Sequence, residues 1–500
     1  MTRTLAACAA LLTACAAPHQ PAGHVAEWIS DTSSYPGPAA LPPPPAPANG
    51  PLAPSPIAVA YADIATKIIT TARADRGAYA KLAQLTDTIG ARLSGSPALT
   101  KAIAWAVATM KADGHDVRTE KVMVPHWVRG TEEGALVAPV ARSLHLIGLG
   151  GTVPTPKGGV TGEVVVVTSW DELEAKKDTL KGKIVLYNVA LPPYSEKGPG
   201  YGEVAPYRGI GPSRAAKYGA IAVLVRSITA HSLRTPHTGA LHYLPDMPKI
   251  PAAAVTVEDA LLLSRLAATG PVTVKLRLDN KTLPDAESAN VIGELRGREK
   301  PDEIVVISGH LDSWDVGQGA HDDGAGCVMM MQAITILKQL GLQPRRTIRV
   351  VLWTNEENGV RGGKTYAKEH AAELPKHVFA FEADSGGFPP IAFSLEMKKD
   401  AKPEHVEKVK ARLTEVARLA APIGVREVKV GHSGADVSQM VDGGVVAGGL
   451  YTDWRTYFDY HHTEADTLDK VDPQILADGV AASALLAYVI ADMPDRIDAP

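Results

Sequence analysis

From about residue 290 onward, short apolar runs alternate with amphipathic stretches, and this rhythm leaves few folds open. Strands are expected at 303–308, 347–353, 378–383 and 445–450, and helices at about 326–340, 362–370, 404–420 and 473–492. In the third helix Val406, Val409, Leu413, Val416 and Ala420 fall on one face. Such alternation predicts an α/β fold, a mixed sheet flanked by helices on both faces. Ligands of such sheets bind beyond the strand ends, so chemistry is to be sought there.

A chain of 500 residues exceeds what one hydrophobic core usually fills, which predicts a second domain or a large insertion. Helical periodicity begins near Ile57 and recurs over 96–113, where Leu99, Ile103, Val107 and Met110 form a stripe ended by Gly114 and His115. Past about residue 130 the texture turns β-rich, with runs at 162–168, 183–188, 221–225 and 272–278. Between them lie helical stretches at 212–218 and 257–268 and an expected Gly/Pro/Tyr-rich loop over 192–211.

The first 20 residues read as a secretory leader: Arg3, the apolar run 5–12, then Thr13 and Ala14 before Cys15. Leu12-Thr13-Ala14-Cys15 resembles a bacterial lipobox, so the chain is expected to be exported, periplasmic and lipid-anchored at Cys15. Plain cleavage near Ala14 is the alternative. Residues 21–56, with Pro42-Pro43-Pro44-Pro45, read as an extended Pro/Ala-rich tether. With Cys8 and Cys15 in the leader, Cys327 stands alone and no intrachain disulfide is expected. A net charge of −4 gives no basic field for nucleic acid. No later run reaches the roughly 20 consecutive apolar residues of a membrane span, so membrane contact is expected only through the lipid.

Five side chains sit where apolar runs give way to polar sequence: His310, Asp322, Glu357, Asp384 and His462. Two histidines and three carboxylates from separate segments suit two hydrolytic metal ions better than one structural ion. Asp312 is placed to hold the second ring nitrogen of His310, as a metal-bound imidazole requires. Asp322 opens a helix with two free oxygens in positive local potential, which makes it a candidate bridge. Asp-Asp-Gly alone would equally serve as a turn and N-cap. Glu356-Glu357 carries the argument furthest, because adjacent glutamates at a strand end repel. Divided labour explains them: one ligates metal, the other takes a proton from metal-activated water and delivers it to the leaving amine. Tyr460-His461-His462-Thr463 offers the second imidazole, with His462 preferred over His461 and Asp466 as its candidate partner. This N/O donor set suits zinc.

Other motifs are read as structural. His231, His237 and His242 are irregularly spaced in loop-like sequence and are expected on the surface. Gly431-His432-Ser433-Gly434-Ala435 resembles a nucleophile elbow, but Ala435 replaces its last glycine. Gly148-Leu149-Gly150-Gly151 lacks the third glycine of a dinucleotide fingerprint and precedes Thr152-Val153-Pro154 rather than a helix. Both are expected turns.

Together these segments resemble the co-catalytic dizinc exopeptidase superfamily, most closely its carboxypeptidase Q group. The likeness covers nearly everything after the tether and includes residues 90–96, 124–127, 249–251, 308–324 and 349–357. It implies a zinc exopeptidase fold built from 57–130 and 286–500, interrupted at 131–285 by a β-rich protease-associated insert that partly roofs the cleft. It also implies two Zn2+, one on His310 and Asp384 and one on Glu357 and His462, with Asp322 bridging and Glu356 as general base. Peptide substrates, chiefly dipeptides with free ends, and a homodimer are implied too. An aminopeptidase acting on longer peptides is the nearest alternative. A non-catalytic zinc-binding lipoprotein is another, against which the intact Glu356 speaks; a single-zinc glutaminyl cyclase fits less well with all five ligand positions filled. His321 stands where close members carry an apolar residue, and the approach 457–461 also departs from them, which leaves side-chain preference open. Tyr457 and Tyr460 are the candidate oxyanion donors.

Overall fold

The computed structural model describes residues 55–195, 200–231 and 233–499; the leader, Cys15 and nearly all of the tether lie outside the described residues. Three helices come first, Pro56–Ala74, Gly77–Thr88 and Pro97–Ala112. The first and third begin alike. Ser55 or Ser96 caps the helix by accepting a backbone N–H three residues on, and proline takes the first turn, where its missing donor does no harm. The middle helix is not foreseen, because Leu82 and Leu85 are its only large buried apolar side chains.

An eight-stranded mixed sheet follows, in spatial order Asp116–Val128, Lys281–Leu295, Arg346–Trp353, Lys300–His310, His377–Glu382, Ala447–Thr452, Pro390–Leu395 and Glu427–Val430. The four central strands pair in parallel, Arg346–Trp353 with Lys300–His310, then His377–Glu382, then Ala447–Thr452. Every residue of Arg346–Trp353 is buried, as a central parallel strand demands. Along Lys300–His310 the faces alternate: Val305 and Ile307 enter one core, Ile304 and Val306 the other. The first core lies under six helices: the three at the start, Ala325–Gln339, Pro403–Leu419 and Pro473–Asp492. The second lies under the helix Arg361–Glu369 and the turn Val437–Gly443. Helices therefore flank both faces, but unequally.

Pro473–Asp492 holds no unbroken apolar run of membrane-spanning length, since Gln474 and Asp478 interrupt it, but by length and composition it could cross a membrane, with a mean hydropathy of 1.7. Yet 83% of its apolar window is buried inside the fold, so its hydrophobicity is that of a core helix.

The chain leaves this sheet after Val128 and returns at Lys281. Between them it builds a second eight-stranded sheet, ordered Arg142–Leu144, Glu132–Ala138, Thr273–Leu278, Val160–Val167, Ile184–Tyr187, Ala222–Arg226, Ala252–Val255 and Leu146–Gly148. Separate apolar cores lie on its two faces, and both sheets belong to one compact unit. The expected loop over 192–211 is corrected here, since Tyr201–Gly209 is helical with Pro206 inside it. Val204 and Tyr207 bury one side of that helix and hold it despite the proline.

Helix Ala325–Gln339 starts hard against the end of strand Lys300–His310. A Cβ on Gly326 would overlap the carbonyl oxygen of Ala383, and one on Gly309 would lie 2.9 Å from the Cys327 backbone nitrogen. Backbone at that distance cannot give way. Gly326→Ala is therefore expected to cost at least about 1–3 kcal/mol, read as a lower urea midpoint at an unchanged m-value.

Candidate metal centre

Because the four central strands run parallel, their C-terminal ends meet on one edge. His310 ends the first, Glu356 and Glu357 lie just past the second, Asp384 just past the third, and the loop carrying His462 follows the fourth. His310 Nε2 lies 3.1 Å from Asp322 Oδ1 and 3.3 Å from Asp384 Oδ1. His462 Nε2 lies 3.2 Å from Asp322 Oδ2 and 3.0 Å from Glu357 Oε2. Two triads result, His310–Asp322–Asp384 and Asp322–Glu357–His462, and they share Asp322 through its two oxygens. The Oδ2 atom is buried and has no hydrogen-bond partner although an imidazole nitrogen is 3.2 Å away. A buried carboxylate oxygen left unpartnered among converging donors fits a cation held between them.

Electrostatics point the same way. Burial opposes charge on His310 and His462, but Asp384 and Asp322 at the first and Glu357 at the second overcome it and hold both imidazoles well above their usual range. Burial and the neighbouring Asp322 push the Glu357 carboxyl up to about 7 against the pull of His462. Desolvation, with Asp384 and Glu357 close by, raises Glu356 as well. The edge holds more carboxylate than two imidazoles neutralise, and divalent cations suit such a cluster.

The backbone around the triads is fixed by neighbours with divided roles. Asp323, joined to Asp322 by a cis peptide bond, accepts from the His310 backbone N–H at 2.9 Å and from Gly326 N–H at 3.0 Å. Asp323 therefore does the capping, and Asp322 is left free to face the histidines. Arg92 is fully buried and donates to the carbonyls of Leu311, Gln318, Gly319 and Gly90 at 2.6, 2.8, 2.9 and 3.2 Å, fastening the loop between His310 and Asp322. His321 stacks on Phe388 at 4.3 Å, lies nearly parallel to Tyr460 at 5.6 Å, and accepts from Gly387 N–H at 3.1 Å, supporting the turn after Asp384. Burial pushes its imidazole down to about 4, so it acts there as a neutral acceptor.

Peptidase family M28 matches residues 290–487, a span that holds all five donors. Carboxypeptidase Q of Mus musculus is 40% identical over 442 residues, covering 87% of this chain and 91% of its own length. The chain belongs to peptidase family M28. A peptidase M28 precursor from Shewanella amazonensis has the same architecture at a TM-score of 0.83 and 36% identity, over 88% of this chain and 98% of its own. A zinc aminopeptidase from Bacillus subtilis shares the fold at a TM-score of 0.61 and 21% identity, over 84% of this chain and 96% of its own. This M28 chain is accordingly a metallopeptidase, and its mixed sheet with flanking helices is the M28 peptidase fold.

Two roles expected in the M28 site are filled differently. His310 Nδ1 donates to the backbone carbonyl of Asp312 at 2.9 Å, whereas the nearer carboxylate oxygen is 4.0 Å away. That carboxylate instead accepts from the backbone of Glu356 at 3.0 Å and Glu357 at 3.4 Å and from Ser94 Oγ at 3.3 Å, so it shapes the turn carrying both glutamates. Asp466 does not reach the His462 ring. It accepts from the backbone of His321 at 2.7 Å and Asp322 at 3.1 Å, while His462 Nδ1 faces the Thr238 carbonyl at 3.4 Å.

One expectation about the histidines is overturned. His231 and His242 are exposed, but His237 is 1% exposed, its Nε2 lies 3.2 Å from His461 Nδ1, and it forms a third close group with His461 and His462. The sequence around it, Pro236-His237-Thr238-Gly239, has no periodicity to mark it as buried.

Proposed function

We propose that this M28 chain is a dizinc exopeptidase that hydrolyses dipeptides or terminal peptide bonds, with Glu356 as general base. The observation that carries this reading is the single carboxylate, Asp322, shared by two histidine–carboxylate triads. Zinc, when bound, supplies Lewis acidity and makes water acidic near neutral pH. His310 and Asp384 would hold one ion, Glu357 and His462 the other, and Asp322 would fix their separation. The Glu356 carboxylate belongs to neither triad while its backbone is pinned by Asp312. It is therefore available to take the proton from the attacking water and pass it to the leaving amine. Tyr457, whose phenol is pushed well up by burial and by Asp322, stays protonated and serves as the donor to the developing oxyanion.

Residues 131–285 are assigned as the protease-associated insert roofing the cleft, on the strength of the resemblance and of the second sheet. The leader assigns the chain to the periplasm, lipid-anchored at Cys15 with 21–56 as tether, and the same resemblance supports a homodimer. The deciding experiment pairs metal content with hydrolysis of a free dipeptide, its C-terminal amide, its N-acetyl form and a tetrapeptide. Two zinc ions per chain with cleavage of the free dipeptide alone is the expected result. Cleavage of the amide and tetrapeptide as well would make it an aminopeptidase, and two ions without turnover a binding protein.

A further inference from the structure

We infer that His237, carried in from the second sheet, is a positioning residue for the metal centre: it fixes His461 in the tautomer that turns an N–H toward Asp322. The inference rests on the proposed dizinc reading.

The geometry is a chain of three groups. Asp322 Oδ2, the oxygen facing His462, lies 3.4 Å from His461 Nε2, and His461 Nδ1 lies 3.2 Å from His237 Nε2. The far nitrogen of the chain, His237 Nδ1, is buried with no hydrogen-bond partner. Two proton arrangements are open to a pair of neutral rings. If His461 donated to His237, its Nε2 lone pair would face the Asp322 carboxylate, and His237 would bury an N–H with no acceptor. Both features are unfavourable, since lone pairs repel and an orphaned buried N–H is rarer than an unused acceptor. If His237 donates from Nε2, His461 presents its own N–H to Asp322 and the atom left bare is an acceptor. The second arrangement is the one that the unpartnered Nδ1 matches.

His237 is itself held from the second sheet. Its backbone N–H donates to Ser227 Oγ at 2.7 Å, and Ser227 follows strand Ala222–Arg226. The next residue grips the same loop: Thr238 N–H donates to the His462 carbonyl at 3.0 Å, and Thr238 O faces His462 Nδ1. His462 adopts a φ of +57°, a conformation that a non-glycine residue keeps only when its surroundings fix it. The segment 237–238 thus ties the inserted sheet to one metal-facing histidine through the backbone and to the shared carboxylate through His461.

The test compares wild type, His237→Leu and His237→Gln for zinc affinity by chelator competition, for the visible spectrum of the cobalt-substituted protein, and for melting of the metal-free protein. Leucine removes the N–H; glutamine restores one near the place of Nε2. The expected result is about a 10–100-fold loss of zinc affinity in the leucine variant, a shifted cobalt spectrum, and near wild-type behaviour in the glutamine variant, with similar melting of both metal-free variants. Wild-type affinity in the leucine variant, or equal loss in both variants, would overturn the inference. Wild-type protein that binds no zinc would instead overturn the metal-centre reading, and the inference with it.

Discussion

Glu356→Gln is expected to keep both metal ions and to lower kcat by about 10²–10⁴-fold, the usual contribution of a positioned general base. The substitution preserves size and the backbone bond to Asp312, so the turn that carries Glu357 should not move. Since the Glu356 carboxylate stands outside both triads, its conversion to an amide removes a proton acceptor without removing a donor to either ion. Loss of an interaction made only in the transition state lowers kcat and kcat/KM together and leaves KM unchanged. Zinc per chain and steady-state kinetics on a dipeptide measure both halves of the claim. A glutamine variant as active as wild type would take the base role from Glu356; a variant that sheds zinc would move it among the ligands.

The contrast between Glu356 and His237 shows what the sequence discloses and what it hides. Parallel strands must end on one edge, so polar residues at the ends of several apolar runs announce a site before any contact is known, and His310, Asp322, Glu357, Asp384 and His462 do come together there. Their supports depend on tertiary detail that periodicity does not carry. Asp312 lies two residues from His310, yet its carbonyl rather than its carboxylate meets the ring, a choice made by the turn after the strand. Arg92 lies in a segment that the resemblance already marks, but only the folded loop shows its guanidinium spent on four carbonyls. His237 lies in a loop between strands of the other sheet, 224 residues from His461 in sequence, and no local pattern links the two. The fold has the same division. Buried central strands are legible from apolar runs, whereas the outer pair Asp116–Val128 and Lys281–Leu295 exposes much of its length and carries no long apolar run to mark it.

Asp322→Ala is expected to have the largest effect of any single substitution in the site, because it removes one donor from each triad at once. At Asp384, in contrast, only the His310 side is depleted. Equilibrium dialysis at a zinc concentration that saturates the wild type should therefore find two ions per chain in the wild type, one in Asp384→Ala and almost none in Asp322→Ala, with turnover lost in both variants. The reasoning is geometric: the two oxygens of Asp322 face different imidazoles, at 3.1 Å from His310 and 3.2 Å from His462. Without it each ion would retain one histidine and one carboxylate, fewer than the three protein ligands usual at a catalytic zinc. If Asp322→Ala held one ion as tightly as the wild type, the carboxylate would belong to a single site, and the shared-bridge geometry on which the dizinc reading depends would have to be abandoned.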